Sequence, residues 1–106
     1  MDEKRLKRLF NLSKEQFLKI FQFQNGRCPI CNFVLKKANV DHQHDTGRIN
    51  GLLCWRCNKA IGLLGNRIDR LKNAIQYLEF PPAVLALGHE VLGQTGSVTK
   101  RRRRKR

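Results

Sequence analysis

Between Val40 and Lys59 the chain reads VDHQHDTGRINGLLCWRCNK. These twenty residues hold two aspartates, two histidines, two cysteines and two asparagines. Two kinds of metal chemistry fit such a stretch. Thiolates bind zinc, whereas carboxylate and amide oxygens bind hard cations such as magnesium. Imidazole moves protons near neutral pH.

The thiols sort first. Cys54-Trp55-Arg56-Cys57 is one CxxC pair and Cys28-Pro29-Ile30-Cys31 another, with 22 residues between them. Two thiolates three positions apart chelate one ion from a tight turn, and a second pair completes the tetrahedron of structural zinc. The intervening segment slightly exceeds the usual ribbon spacing of roughly 15–20 residues. A hairpin with extra cargo accounts for the excess. The alternative is four free or disulfide-bonded cysteines. A site with four protein ligands has no open position, so it holds the fold and does not catalyse. Arg27 and Arg56, beside the ligands, can offset its negative charge.

Catalysis would then fall to the hairpin and the residue after the last cysteine. Cys54 and Cys57 tie a helix start to the first knuckle, and the hairpin spans the same gap. Asp41 and Asn58 can therefore face each other from 17 positions apart. Their oxygens suit magnesium, which keeps other positions for water and phosphate oxygens. His42 can take the proton of an attacking water. In a regular strand, however, Asp41 and His42 point to opposite faces while His42 and His44 share one. The chemistry requires the strand to bend or end here. Plainer roles compete: Asp41 and Asp45 as turn residues, Asn58 as a helix cap, and His42 as a neighbour of the zinc site or a surface histidine. The lone His89 is structural or solvent-exposed. Trp55 either packs or offers a ring on which a base stacks.

Local signals place these residues on elements. Residues 1–12 can begin a short helix. Ser13 and Gln16 form a capping-box pair, Phe17, Ile20 and Phe21 share a helical face with Leu18 beside it, and Asn25-Gly26 stops the helix. Phe33 to Leu35 and Ala38 to His42 suggest short strands, Asp45–Gly47 a turn, and RINGLLC a return strand. The resulting hairpin has His42 and His44 near its tip. A helix follows from Trp55 to about Leu64. Asn66 can cap another, with Ile68, Leu71, Ile75 and Leu78 on one face, ended by Pro81-Pro82. AVLALGHEVLG suggests a last short helix against the core. Residues 95–106 have the composition of a disordered tail.

The net charge of the 106 residues is +14. Lys100 to Arg106, KRRRRKR, supplies seven of those charges, and the rest of the chain still carries +7. A polyanion is the natural partner, because each cation placed on a phosphate releases a condensed counterion. A solvated charged surface with a solubilising tail is the alternative. No stretch approaches the roughly 20 apolar residues that cross a bilayer, and the N-terminus lacks an apolar run of signal-peptide length. A cytoplasmic or otherwise intracellular protein is expected, where paired CxxC motifs favour metal over disulfides.

The order CxxC, then DH-x-H with a TG turn, then GLLCxxCN resembles the recombination endonuclease VII family of HNH, or His-Me finger, nucleases. The resemblance covers roughly Phe17 to Gly65. It implies an α+β fold: a small zinc-stapled ββα-metal domain flanked by helices, here residues 1–94 with a core at 17–65, and a basic tail at 95–106. It also implies a DNA endonuclease that hydrolyses phosphodiesters with one Mg2+ or Mn2+, on duplex or branched DNA of the Holliday-junction type, inside a bacterial or phage-infected cell. Carried over by motif, Asp41 and Asn58 would bind the catalytic metal, His42 would be the general base and His44 would assist. Cys28, Cys31, Cys54 and Cys57 would hold structural Zn2+. There are two departures. Some members have an acidic residue one helical turn after the asparagine, where Ile61 stands here, and the longer junction-resolving members extend further at the C-terminus. The competing function is a zinc-ribbon DNA-binding protein without catalysis, which would not require Asp41, His42 and Asn58 together. A homodimer is an option if the N-terminal helices leave apolar residues uncovered. The tail suits a DNA-tethering arm or, in a eukaryote, a nuclear-import signal.

Overall fold

The structure, a computed structural model, describes residues 2–93. Residues up to Arg67 form one compact unit and those from Ile68 a second. The disorder expected of residues 95–106 lies outside the described residues.

Capping chemistry sets the first two helices. In α1 (Glu3–Phe10) the Asp2 carboxylate accepts the Lys4 N–H, and Asn11 ends the helix in the left-handed region at φ 53°. For α2 (Lys14–Phe23), Ser13 Oγ accepts the Gln16 N–H at 3.1 Å and Gln16 Oε1 accepts the Ser13 N–H at 3.0 Å. This is the capping box expected from the sequence. Asn25 and Gly26 then both take positive φ, and the Gly26 N–H donates to the Phe21 carbonyl. A Cβ on Gly26 would lie 3.1 Å from the Phe21 ring. Conformation and space thus both favour glycine there.

The first CxxC pair follows in a tight knuckle. Phe33 to Leu35 do not form the expected strand; Val34 makes a single bridge with Arg27. The Cys28 N–H donates to the Phe33 carbonyl and the Leu35 N–H to the Gly26 carbonyl. The loop closes on itself, which leaves no ladder to extend.

The sheet has two antiparallel strands, β1 (Asn39–His42) and β2 (Ile49–Leu53). Asn39 pairs with Leu53, Val40 with Leu52 and Asp41 with Gly51, but His42 pairs with Ile49. Asn50 is the extra residue of a β-bulge. The chain then enters α3 (Trp55–Leu63), which lies against β1.

The core gathers Leu6, Leu12, Cys28, Leu35, Val40, Leu52 and Leu53, all buried. Phe17, Ile20 and Phe21 of α2 and Ile61 of α3 pack against it, as the aromatic face of α2 predicts. Gln24 locks α2 to the sheet. Its Oε1 accepts the Leu52 N–H at 3.0 Å and its Nε2 donates to the Leu52 carbonyl at 2.9 Å. One side-chain amide so completes the hydrogen bonding of a buried strand residue.

In the second unit, α4 (Ile68–Glu79) precedes α5 (Pro82–Leu87). Asn66 does not cap α4. It sits at φ 55° and donates its N–H to the Ile61 carbonyl, so it closes α3 instead. Pro82 opens α5, where a missing N–H costs no helical bond. None of the residues of α5 is buried. Among the described residues, no helix is long and apolar enough to cross a membrane.

Candidate active site and metal centre

The two knuckles bring their thiols together. The four Sγ atoms of Cys28, Cys31, Cys54 and Cys57 lie within 4.8 Å of one another, and those of Cys31 and Cys54 are 3.8 Å apart. A disulfide needs about 2.05 Å, and all four cysteines are free thiols. Zinc–sulfur bonds of about 2.3 Å give tetrahedral edges of about 3.8 Å. The spacing therefore fits a zinc ion and not a pair of disulfides.

Backbone geometry and charge support the same fit. Cys54 is the N-cap of α3, and its Sγ accepts the Cys57 N–H at 3.4 Å. Burial works against a thiolate at Cys28, yet the N–H groups of Cys31, Cys54 and Ile30 outweigh it and lower its pKa to about 6. The Cys57 N–H lowers the pKa of Cys54 against a smaller effect of burial. Cys57 is pushed up to about 12 by burial and by the neighbouring sulfurs. Cys57 thus resists ionising beside the other sulfurs, and a divalent cation removes that resistance. Arg27 is tied to the knuckle by a bond from Nη1 to the Asn32 carbonyl. Arg56 lies over the Phe33 ring.

The hairpin carries the other candidates. Asp41 and His42 end β1 and are half-buried, while His44 is exposed in the turn. The bulge falls between Asp41 and His42. The extra residue, Asn50, is on β2, so the bend there belongs to that strand, while β1 itself ends at His42. The ring centroids of His42 and His44 are 4.9 Å apart, and the His42 ring stands 5.6 Å from that of Phe10 on α1. Asn58 is half-buried in the first turn of α3, with its N–H on the Cys54 carbonyl. The cap is Cys54, so the capping role considered for Asn58 does not apply. Because α3 lies against β1, the elements that carry Asp41 and Asn58 are neighbours. Ile61 turns to the core. Asp45 is a turn residue, and the exposed His89 ring meets the Leu87 carbonyl.

Sequence reasoning missed two residues beside Asp41. Asn50 Nδ2 donates to Asp41 Oδ2 at 3.2 Å, and Arg48 Nε donates to Asn50 Oδ1 at 3.1 Å. Arg48 precedes β2 and Asn50 is the bulged residue of that strand, so no periodicity in the sequence marked the pair. Packing for Trp55 is also excluded, since 64% of it is exposed.

Comparison with known proteins follows the same lines. The family model of recombination endonuclease VII matches residues 3–80. The "Gene 59 protein" of Mycobacterium phage D29 is 42% identical over 93 residues, which cover 84% of this chain and 56% of that protein. The "Gene 59 protein" of Mycobacterium phage L5 is 40% identical over 93 residues, covering 84% of this chain and 57% of the relative. The chain thus spans a little over half the length of these relatives. With most of its length matched by the family model, the chain belongs to the recombination endonuclease VII family.

Proposed function

We propose that the chain is a metal-dependent DNA endonuclease with a zinc-stapled ββα core of the HNH, or His-Me finger, type, made by β1, β2 and α3. Asp41 and Asn58 would hold one Mg2+ or Mn2+ through hard oxygen donors. When bound, such an ion neutralises charge that develops on the phosphate and on the leaving oxygen. His42 accepts the proton of the attacking water as the new P–O bond forms and the phosphodiester bond breaks. His44, with its ring beside that of His42, orients that base or holds a phosphate oxygen.

The observation that most supports this reading is that β1 ends at Asp41-His42 beside the helix that carries Asn58, in a chain of an endonuclease family. The substrate form extends the proposal to branched DNA, and the site of action to the inside of a phage-infected cell. A homodimer is part of it as well, because Leu9, Leu18 and Phe23 of α1 and α2 are exposed. Sedimentation as a monomer at every concentration would refute the dimer.

The test is cleavage of supercoiled plasmid and of a synthetic four-way junction, with and without magnesium. Wild type should cut only with the metal, and faster on the junction if branched DNA is the substrate. Zinc-loaded His42→Ala should lose about 10²- to 10⁴-fold in rate while keeping its zinc and its DNA affinity. DNA binding without cutting by the wild type would favour a zinc-ribbon binder instead.

A further inference from the structure

Beside the cysteine cluster, two aromatic rings stand open where a small domain would be expected to bury them. Trp55 is 64% exposed and Phe33 62%. With Val34 and Cys54 of the thiol cluster they line a groove of about 440 Å³ whose charged side chains are Lys36, Lys37 and Arg56. All three are cations. The Arg56 guanidinium carbon lies 5.9 Å from the centroid of the Phe33 ring. Nothing in the zinc-type cluster requires exposed rings, and the candidate catalytic residues do not use them.

We propose that this groove binds unpaired nucleotides of DNA, with bases stacked on Trp55 and Phe33 and phosphates on Lys36, Lys37 and Arg56. Aromatic faces interleaved with cations form the usual platform for single strands, since every base has a π-face and every linkage an anion. Bases inside a duplex are already stacked on both faces, so only unpaired ones can use the rings. A second copy of the chain is not the proposed occupant, because the charged side chains of the groove are all cations and the homodimer proposed above uses the exposed apolar residues of α1 and α2. The inference rests on DNA as the substrate and names the part of it that this face takes. Trp55 and Asn58 are three apart on α3, where Cβ atoms are about 5–6 Å from each other. A strand held in the groove therefore runs next to a candidate metal ligand.

Trp55 is the sole tryptophan of the chain, so its emission reports on the groove directly. The zinc-loaded full chain would be titrated, without magnesium, with single-stranded oligothymidylate, an abasic oligomer of equal length and a blunt duplex. Anisotropy of a dye on each DNA would follow binding in parallel. Oligothymidylate should quench Trp55, whereas the abasic oligomer and the duplex should bind with little quenching. Trp55→Ala should weaken oligothymidylate binding about ten-fold and leave the abasic oligomer unaffected, and Trp55→Phe should restore most of the loss. Oligothymidylate binding without quenching would overturn the proposal. So would equal losses for both oligomers in Trp55→Ala, or emission that changes with protein concentration alone, the mark of a second copy. Magnesium-dependent plasmid cleavage tests the nuclease reading separately. Quenching without cleavage leaves the groove standing and removes the nuclease; cleavage without quenching does the reverse.

Discussion

A carboxylate with both oxygens free can swing between orientations, and Asp41 has one of them engaged. Asn50 holds Oδ2, and Arg48 in turn fixes the Asn50 amide so that its Nδ2 faces Asp41. The other oxygen is left for a ligand. Groups that orient a metal-binding side chain typically change metal affinity or activity 10- to 100-fold when removed. Asn50→Ala should therefore raise the magnesium concentration for half-maximal cleavage by about ten-fold, with a near-normal rate at saturating metal. The measurement is a magnesium titration of the cleavage rate. An unchanged half-maximal concentration would show that Asn50 only fills the bulge. Asn50 was hidden in the sequence because its partner is nine positions away and its role depends on a bulge. No periodicity in a single strand announces a bulge, since the extra residue is defined only by the strand opposite.

The elements are short, and their buried set is small. Such a core alone rarely supplies more than about 3–5 kcal/mol, whereas structural zinc contributes on the order of 10–16 kcal/mol of apparent binding free energy. Cys54 sits at the junction of both effects. It caps α3 and belongs to the thiol cluster. Cys54→Ala should leave the residues up to Arg67 unfolded, and chelation of zinc from the wild type should do the same. Circular dichroism and a thermal melt would check this; a cooperative, zinc-free melt near that of wild type would show that the core suffices. At this scale much was legible. The Ser13/Gln16 box and the Asn25-Gly26 stop rest on contacts within a few residues, and each appears as expected. The two CxxC pairs meet across 23 positions, yet their shared ligand chemistry announces the partner. Most of what failed depended on distant partners. Gln24 reaches Leu52 across 28 positions, and Phe33 to Leu35 had strand composition but no neighbouring strand to pair with. Asn66 suited a cap in composition, but the chain used it to close the helix before it.

Charge is a property of the whole molecule, and here it is divided between two parts. Half of the +14 lies in Lys100 to Arg106 and half in the rest of the chain. Each cation placed on a duplex phosphate changes the slope of log K against log salt by about 0.9. If all seven tail charges sit on phosphates, deletion of residues 100–106 should make that slope shallower by up to about six. The loss should be uniform across DNA sequences, since phosphate contacts carry no base information. It should also weaken oligothymidylate and abasic oligomers alike, unlike Trp55→Ala, which separates tethering from base stacking. Binding measured from low to moderate salt, for full-length and truncated chains, decides the matter. An unchanged slope would mean that the seven cations stay solvated when DNA binds, and that the +7 of the remaining chain makes the phosphate contacts.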